Sequence, residues 1–485
     1  MVPLRCTKKE MNDMNILKNQ ALGLLMLGAV AVAMPACKKK EGCTDPTATN
    51  YDPDADKDCC CEYATPPANV TTLSGSITSN MTLNSSTRYL LSGFVYVEDG
   101  ATLTIEPGTI IKGDKTTKAT LIIKRGGKIH AVGTSTAPIV FTSNQPAGSR
   151  DYGDWGGIVI CGKANNNQPG GEAIIEGGPD AYYGGGVSPN DADNSGEMQY
   201  VRIEFPGIAL LPNQEINGLT LAAVGSGTTI DHIQVSYSGD DSYEWFGGAV
   251  NLKNLVALRG WDDDFDTDNG FRGKVQFAVS LRDPNIADQS GSNGFESDND
   301  ASGTANAPLT MPIFSNVSAL GPYAVSAGTP NSQFKRSAHI RRNSRCNIQN
   351  SVISGFPTGL LVDGSLCEAN ATNNDLQVRN TIVAGCASPL EVAGGSTWDV
   401  TTWFNTSGWG NSVLANVSDL GMATPILLTS PNFLPNAGSV LLSGADFTNS
   451  NLSDPFFQQV TFRGAFGAEN WTSGWTNFNP QNTTY

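Results

Sequence analysis

An all-β solenoid, a right-handed parallel β-helix, is the fold that the 485-residue sequence predicts, on three observations. The chain holds 53 glycines and only 16% charged residues. Ser, Thr, Asn and Gly fill the deficit, and these are residues of turns and short strands rather than of helix interiors. Two neighbouring segments, 101–113 (ATLTIEPGTIIKG) and 119–133 (ATLIIKRGGKIHAVG), repeat a strand, glycine turn, strand pattern. Repetition on that scale is the mark of stacked coils. A third and longer pattern, taken up below, decides what kind of solenoid they build.

The N-terminal element comes first. Ala21–Ala33 is an apolar run too short to span a bilayer as a helix. It leads into Met34-Pro35-Ala36-Cys37, which resembles a bacterial lipobox and implies acylation of Cys37 after cleavage. Residues 1–36 are therefore expected to be a signal peptide, and 37–68 a lipidated, acidic, cysteine-rich tether. Gly42-Cys43-Thr44-Asp45-Pro46 through Asn50-Tyr51-Asp52-Pro53 to Cys59–Cys61 resembles modules of cell-surface proteins from Bacteroidota. The alternating Asp52, Asp54, Asp56 and Asp58 offer calcium ligands or, more simply, a solvated spacer closed by a disulfide. Beyond Cys6 and Cys37 eight cysteines remain, an even number that suggests disulfides of unspecified connectivity.

Residues 69–464 are expected to form the β-helix. Its pattern is set by Tyr200, His232, Asn254, Gln276, Asn316, Asn350 and Asn380, spaced 32, 22, 22, 40, 34 and 30 apart. Residues two before and one after each anchor are mostly apolar, although in one straight strand they would point to opposite faces. The chain must bend at the anchor to bury both. Asn and His are the non-glycine residues that most readily take the left-handed conformation of such a corner. Stacked coils would align these side chains as a partial Asn ladder, and roughly 13–16 coils of about 25–30 residues would fit. The 40-residue interval must carry a protruding loop. The tryptophans Trp398, Trp403, Trp409, Trp471 and Trp475 are expected to cap the open end, with 465–485 as the cap.

Longer phrases carry a family resemblance: GATLTIEPGTIIKG (100–113), PIVFTS (138–143), GDWGGIVICGKA (153–164) and RGAFGAENWTSGWTNF (463–478). They resemble a group of bacterial β-helix lipoproteins and a leptospiral outer-membrane lipoprotein group. The resemblance implies a pectin-lyase-like fold and a cell-envelope location, and it implies no settled activity. A formal charge of −16 disfavours non-specific binding to nucleic acid or to anionic lipid.

The sharpest chemistry is acidic. Asp240, Asp241 and Glu244 recur 22 residues on as Asp262, Asp263 and Asp266, and Asn293-Gly294-Phe295 echoes Asn269-Gly270-Phe271 at an offset of 24. Carboxylates stacked this closely repel unless solvated, protonated or bridged by cations, and calcium suits them best. Asp262, Asp264, Asp266, Asp268, Glu244 and Asp298 are the expected ligands. The spacing is not that of an EF-hand, because no Glu stands twelfth from Asp262 or Asp264. Trp245, Trp261 and Arg272 are the expected contacts to a bound glycan, with core packing the alternative for the tryptophans.

Two readings compete with calcium-dependent binding of a polysaccharide or another surface component. In one, Asp240, Asp241, Asp263 and Asp264 catalyse glycoside hydrolysis, or calcium and one of Arg259, Arg272, Arg282, Arg341 and Arg342 support elimination. Against it, a Gly-His-Gly motif is absent, and no histidine is expected beside the stack, because Asp231-His232 is read as a corner. In the other, the protein is a passive structural element of the surface. The membrane is the one expected anchor point, through lipid on Cys37.

Overall fold

The computed structural model describes residues 40–45, 48, 50–61, 70–211 and 214–485. The signal segment and Cys37 lie outside the described residues. In the N-terminal unit, Glu41–Gly42 pairs in parallel with Lys57–Asp58, and a disulfide joins Cys43 to Cys61. Asp52 is tied to Lys40 at 2.7 Å, and Asp58 accepts from Thr44. The pairing of all eight cysteines is not found. Cys161, Cys346 and Cys367 are buried thiols that pack as small apolar side chains.

From Val70 the chain winds as a right-handed parallel β-helix. Three ladders of parallel strands run along it. The first passes from Val70–Leu73 through Arg88–Leu91 and Ile110–Gly113 to Ser412–Leu414. A second includes Thr120–Ile123, Gly157–Cys161, Leu219–Ala222, Tyr243–Phe246, Phe265–Asp268, Phe295–Ser297 and Arg336–Ile340. The third includes Met81–Leu83, Thr102–Ile105 and Lys128–Val132 before joining the long strands that begin at Gly196. Alternate residues of each strand turn inward, so one apolar column extends from Leu73 to Trp409.

The corners between the third and first ladders are the anchors. Tyr200, His232, Asn254, Asn316, Asn350 and Asn380 all have φ between 49° and 56°. The fourth corner is Phe277 (φ 62°), not Gln276, because Lys253 pairs with Gln276 and Leu255 with Ala278. Moving that anchor by one residue puts buried Val275 two positions before it in place of the charged Lys274. The aligned side chains form the expected ladder only in part. Tyr200 stacks on His232 at 4.3 Å, and Gln276 reaches Asn316 at 3.3 Å. A second row of left-handed residues, Phe205, Tyr237 and Arg259, follows the first-ladder strands.

The coils are fewer than expected, since the first ladder has twelve rungs among the described residues and ends at Leu414 rather than near 464. Long excursions between Ser143 and Gly196 use up residues that shorter coils would have used. The rest of the discrepancy is the C-terminal segment, which leaves the coil path and runs back along its flank as a strap. Leu420, Met422, Phe433, Leu441, Phe466 and Trp475 cover the outer faces of Val256, Leu258, Val279, Leu281 and Leu320. That cover explains why Leu255–Leu258 is apolar on both faces. Side chains at and beside the corners hold the strap: Asn380 donates to Gly444 O, Asn350 to Asp446 O, Asn316 to Phe462 O, Gln276 to Gln458 O and Gln234 to Asn477 O.

The expected cap is therefore divided. Trp398, Trp403 and Trp409 do pack on the end of the column, where Trp403 donates to Ala371 O. Trp471 and Trp475 lie edge-on to His232 in the middle of the solenoid, and Tyr485 reaches Glu204. Residues 465–485 thus belong to the strap and not to the cap.

Candidate functional site

The acidic residues gather on the outer face of the second ladder. Strand register places Glu244 beside Asp266, Asp266 beside Glu296, and Glu296 beside His339. Two residues further along the same strands a second column forms, Asp268, Asp298 and Arg341. Before the strands, where the chain bends, Asp263 donates its backbone N–H to Asp241, and Asn293 donates its own to Asp263. The 22-residue offset holds. The 24-residue echo does not: Phe295 stacks on Phe265 at 5.3 Å, so Asn293 stands over Asp263 and not over Asn269.

Three groups of carboxylates each bring ligand oxygens within 4.8 Å of one another: Asp240, Asp241 and Asp262; Asp241, Glu244 and Asp266; and Asp263, Asp266 and Glu296. Asp241 and Asp266 each belong to two groups. At an effective dielectric near 20, a like-charged pair at this separation costs about 3–4 kcal/mol. Burial, reinforced by the neighbouring carboxylates, pushes Asp241, Glu244, Asp263 and Asp266 well above the usual carboxylate range. Burial likewise pushes Asp262 and Asp268 up to about 7. The face must therefore bind either protons or cations. Asp266 Oδ1 is buried without a hydrogen-bond partner, as a vacant ligand oxygen would be. A hard divalent cation such as calcium fits this all-oxygen donor set.

Several expected site residues fall elsewhere. Asp264 is fully buried and paired with Arg282 at 3.3 Å, so it faces away from the three groups. Asp262, Asp264, Asp266 and Asp268 do not share one face, because the strand begins only at Phe265. Arg282 also donates to Gly260 O and Asn293 O, and in this way it fixes the bends that carry Asp262 and Asp263. Asp298 is held by Arg341 at 2.8 Å and by Arg342 at 2.7 Å. Trp245 is wholly buried among Tyr243, Phe271 and Phe314, which leaves it no surface for a ligand. Trp261 is 39% exposed beside Asp262 and edge-on to Tyr152. Arg272 pairs with Asp191 at 3.1 Å.

Glu296 and His339 were missed. The expectation that the stack lacks a histidine neighbour is corrected by the register of the next coil: His339 Nε2 lies 2.9 Å from Asp363, and Nδ1 lies 3.4 Å from Glu296. Arg341 also pairs with Glu296. Next to this end of the row is a polar cavity of about 410 Å³ lined by Ser302, Arg341, Arg342, Asn343, Asp363 and Ser365. His232, by contrast, is the corner residue that the sequence suggested, stacked on Tyr200 with its Nδ1 2.8 Å from Asp231.

A β-helix of parallel ladders with this outer face is matched by one family model, a pectate-lyase-like beta helix domain, over residues 75–453. The chain belongs to the pectate-lyase-like beta helix family. That membership covers the whole acidic face and most of the strap. No match to the chain is found among curated proteins. Among solved structures, the Dettilon tailspike protein (gp208) aligns at 14% identity with a TM-score of 0.26. The alignment covers 67% of this chain and 62% of the tailspike chain, so this chain spans about three fifths of that protein's length.

Proposed function

We propose that this is a lipid-anchored envelope protein whose acidic β-helix face binds glycan through divalent cations, calcium being the best fit. The observation that carries the binding reading is the pair of carboxylate groups sharing Asp266, continued along the coil axis by Glu296, Arg341 and the Arg341–Arg342 cavity. Asp241, Glu244, Asp263, Asp266 and Glu296 would hold the cations. A bound cation would supply positive charge that lets an anionic sugar approach a strongly acidic chain. Trp261 offers an exposed ring beside the row for stacking. Anchoring rests on the Ala21–Ala33 run and Cys37 alone.

The test is affinity electrophoresis in gels carrying polygalacturonate, alginate or neutral glucan, with calcium and with chelator. Retardation in at least one acidic-glycan gel is expected, to be lost with chelator and in an Asp241→Asn, Asp266→Asn double variant. Equal mobility in every gel would refute the reading.

One observation favours a second reading, cleavage of the bound glycan. His339 bridges Glu296 and Asp363 next to Asp266, whose carboxyl burial raises well above the usual range, which is an arrangement suited to proton transfer. Release of unsaturated uronates or new reducing ends, abolished in His339→Gln with glycan retardation retained, would establish it.

A further inference from the structure

The strap leaves a second site on another side of the solenoid. Along the corner row its backbone is hydrogen-bonded at almost every coil: by Asn380, Asn350, Asn316 and Gln276 toward one end, and by Gln234 toward the other. Asn254 alone of the corner asparagines makes no such bond among the described residues. Its carboxamide has no hydrogen-bond partner among the described residues, although it occupies the same left-handed corner (φ 55°) as Asn316 and Asn350. Here the strap stands off, and a cavity of about 420 Å³ opens between it and the coils.

The walls of that cavity are of two kinds. Phe277, Phe462 and Trp471 line it with aromatic surface, while Lys253, Asn254 and Glu469 line it with polar groups. The rings are held in place from behind. Trp471 stacks on Phe466 at 5.0 Å and donates its indole N–H to Ala465 O, and Phe277 packs against Phe462 at 6.1 Å. Lys253 lies over the Phe456 ring at 4.8 Å. The volume falls within the roughly 300–1,000 Å³ of small-molecule sites. Rigid aromatic faces beside an amide that can both donate and accept, an ammonium and a carboxylate suit a ring with an apolar face and a hydroxylated rim.

The geometry points to a saccharide-binding site in this groove, which takes one or two pyranose rings of a glycan and is separate from the acidic face. No cation is required, since the polar side chains are the amides of Asn254 and Gln458, one ammonium and one carboxylate instead of a carboxylate cluster. The two sites would let one chain hold a glycan on the strap side independently of calcium.

Saturation-transfer NMR on the purified chain, with chelator present, tests this. The probes are galacturonate, N-acetylglucosamine, methyl β-glucoside and methyl β-galactoside. Transfer to at least one sugar is expected, with affinity at least tenfold weaker in Asn254→Gly, which keeps the left-handed corner and removes only the carboxamide. Lys253→Met is a second variant that leaves the corner untouched, and melting temperature checks that each variant is folded. The Asp241→Asn, Asp266→Asn variant should bind the same sugar as the parent does, which separates this groove from the acidic face. Absence of transfer to all four probes, or transfer unchanged in both groove variants, would overturn the assignment.

Discussion

Removing divalent cation should make the stability of the solenoid fall as pH rises, and restoring it should offset more than half of that fall. Asp262 and Asp268 are pushed by burial to about 7 from an ordinary value near 4. A carboxyl whose pKa is raised in the folded state stabilises most below its unfolded value. That contribution is lost as pH climbs through the folded value, so the window runs from about pH 4 to pH 7. Three pH units correspond to about 4 kcal/mol for each group. Both side chains keep some contact with solvent, which reduces the figure to roughly 2 kcal/mol each. At about 2 cal/mol/K per residue, a solenoid of roughly 400 residues unfolds with an entropy near 0.8 kcal/mol/K, so the pair corresponds to a fall in Tm of about 5 °C. Calcium at a hundredfold excess over its Kd adds about 2.7 kcal/mol, or about 3 °C, and only where protons do not occupy the carboxylates. The assay is thermal melting followed by far-UV circular dichroism from pH 4.5 to 7.5, with calcium or with chelator. The difference between the two curves should be near zero at pH 4.5 and largest at pH 7.5. A difference that is absent at pH 7.5, or equal at both ends, would refute the cation site and the pH argument together.

Three further outcomes are expected. Asp264→Asn leaves Arg282 charged and unpaired in the interior, so it should cost about 3–5 kcal/mol in chemical denaturation; the metal-dependent gain in Tm should persist in whatever folds, and its loss would place Asp264 among the ligands after all. Trp245→Ala should cost about 3–5 kcal/mol through a core cavity, whereas Trp261→Ala should change stability by less than about 1 kcal/mol and weaken glycan retardation; the reverse ranking in urea melts would contradict the burial of Trp245. Cys37→Ala should move the protein from the membrane to the soluble fraction, because a lipid on that sulfur is the proposed anchor; membrane retention of the variant would remove the lipoprotein reading.

The coil corners were legible in the sequence because a phase slip in apolar spacing has a single geometric cause, a bend, and because Asn and His mark the backbone conformation that the bend needs. Phe277 escaped that logic: a buried aromatic ring took the left-handed position, and its polar neighbour Gln276 imitated the anchor. Asp240, Asp241, Asp262, Asp263 and Asp266 were legible as a cluster because a loop-free 22-residue coil makes sequence offset equal to spatial stacking. Glu296 and His339 were not, since the offsets from Asp266 to Glu296 and from Glu296 to His339 are set by loops whose lengths no periodicity constrains. The strap carried no local signal at all. Its bonds run from side chains of one coil to backbone far along the chain, so neither partner has a characteristic neighbour in sequence.

The backward course of the strap changes how such a chain can assemble. A solenoid whose coils touch only their neighbours can nucleate anywhere and extend one repeat at a time. Here Gln481 bonds to Arg150 across 331 residues, and Asn477 bonds to Gln234 across 243. Contacts of such sequence separation slow folding, because the intervening chain must be ordered before they contribute. During synthesis the coils that carry Gln234 and Val256 emerge with the outer faces of their first-ladder strands still bare, and those faces stay bare until the strap arrives. The coils made first are completed last.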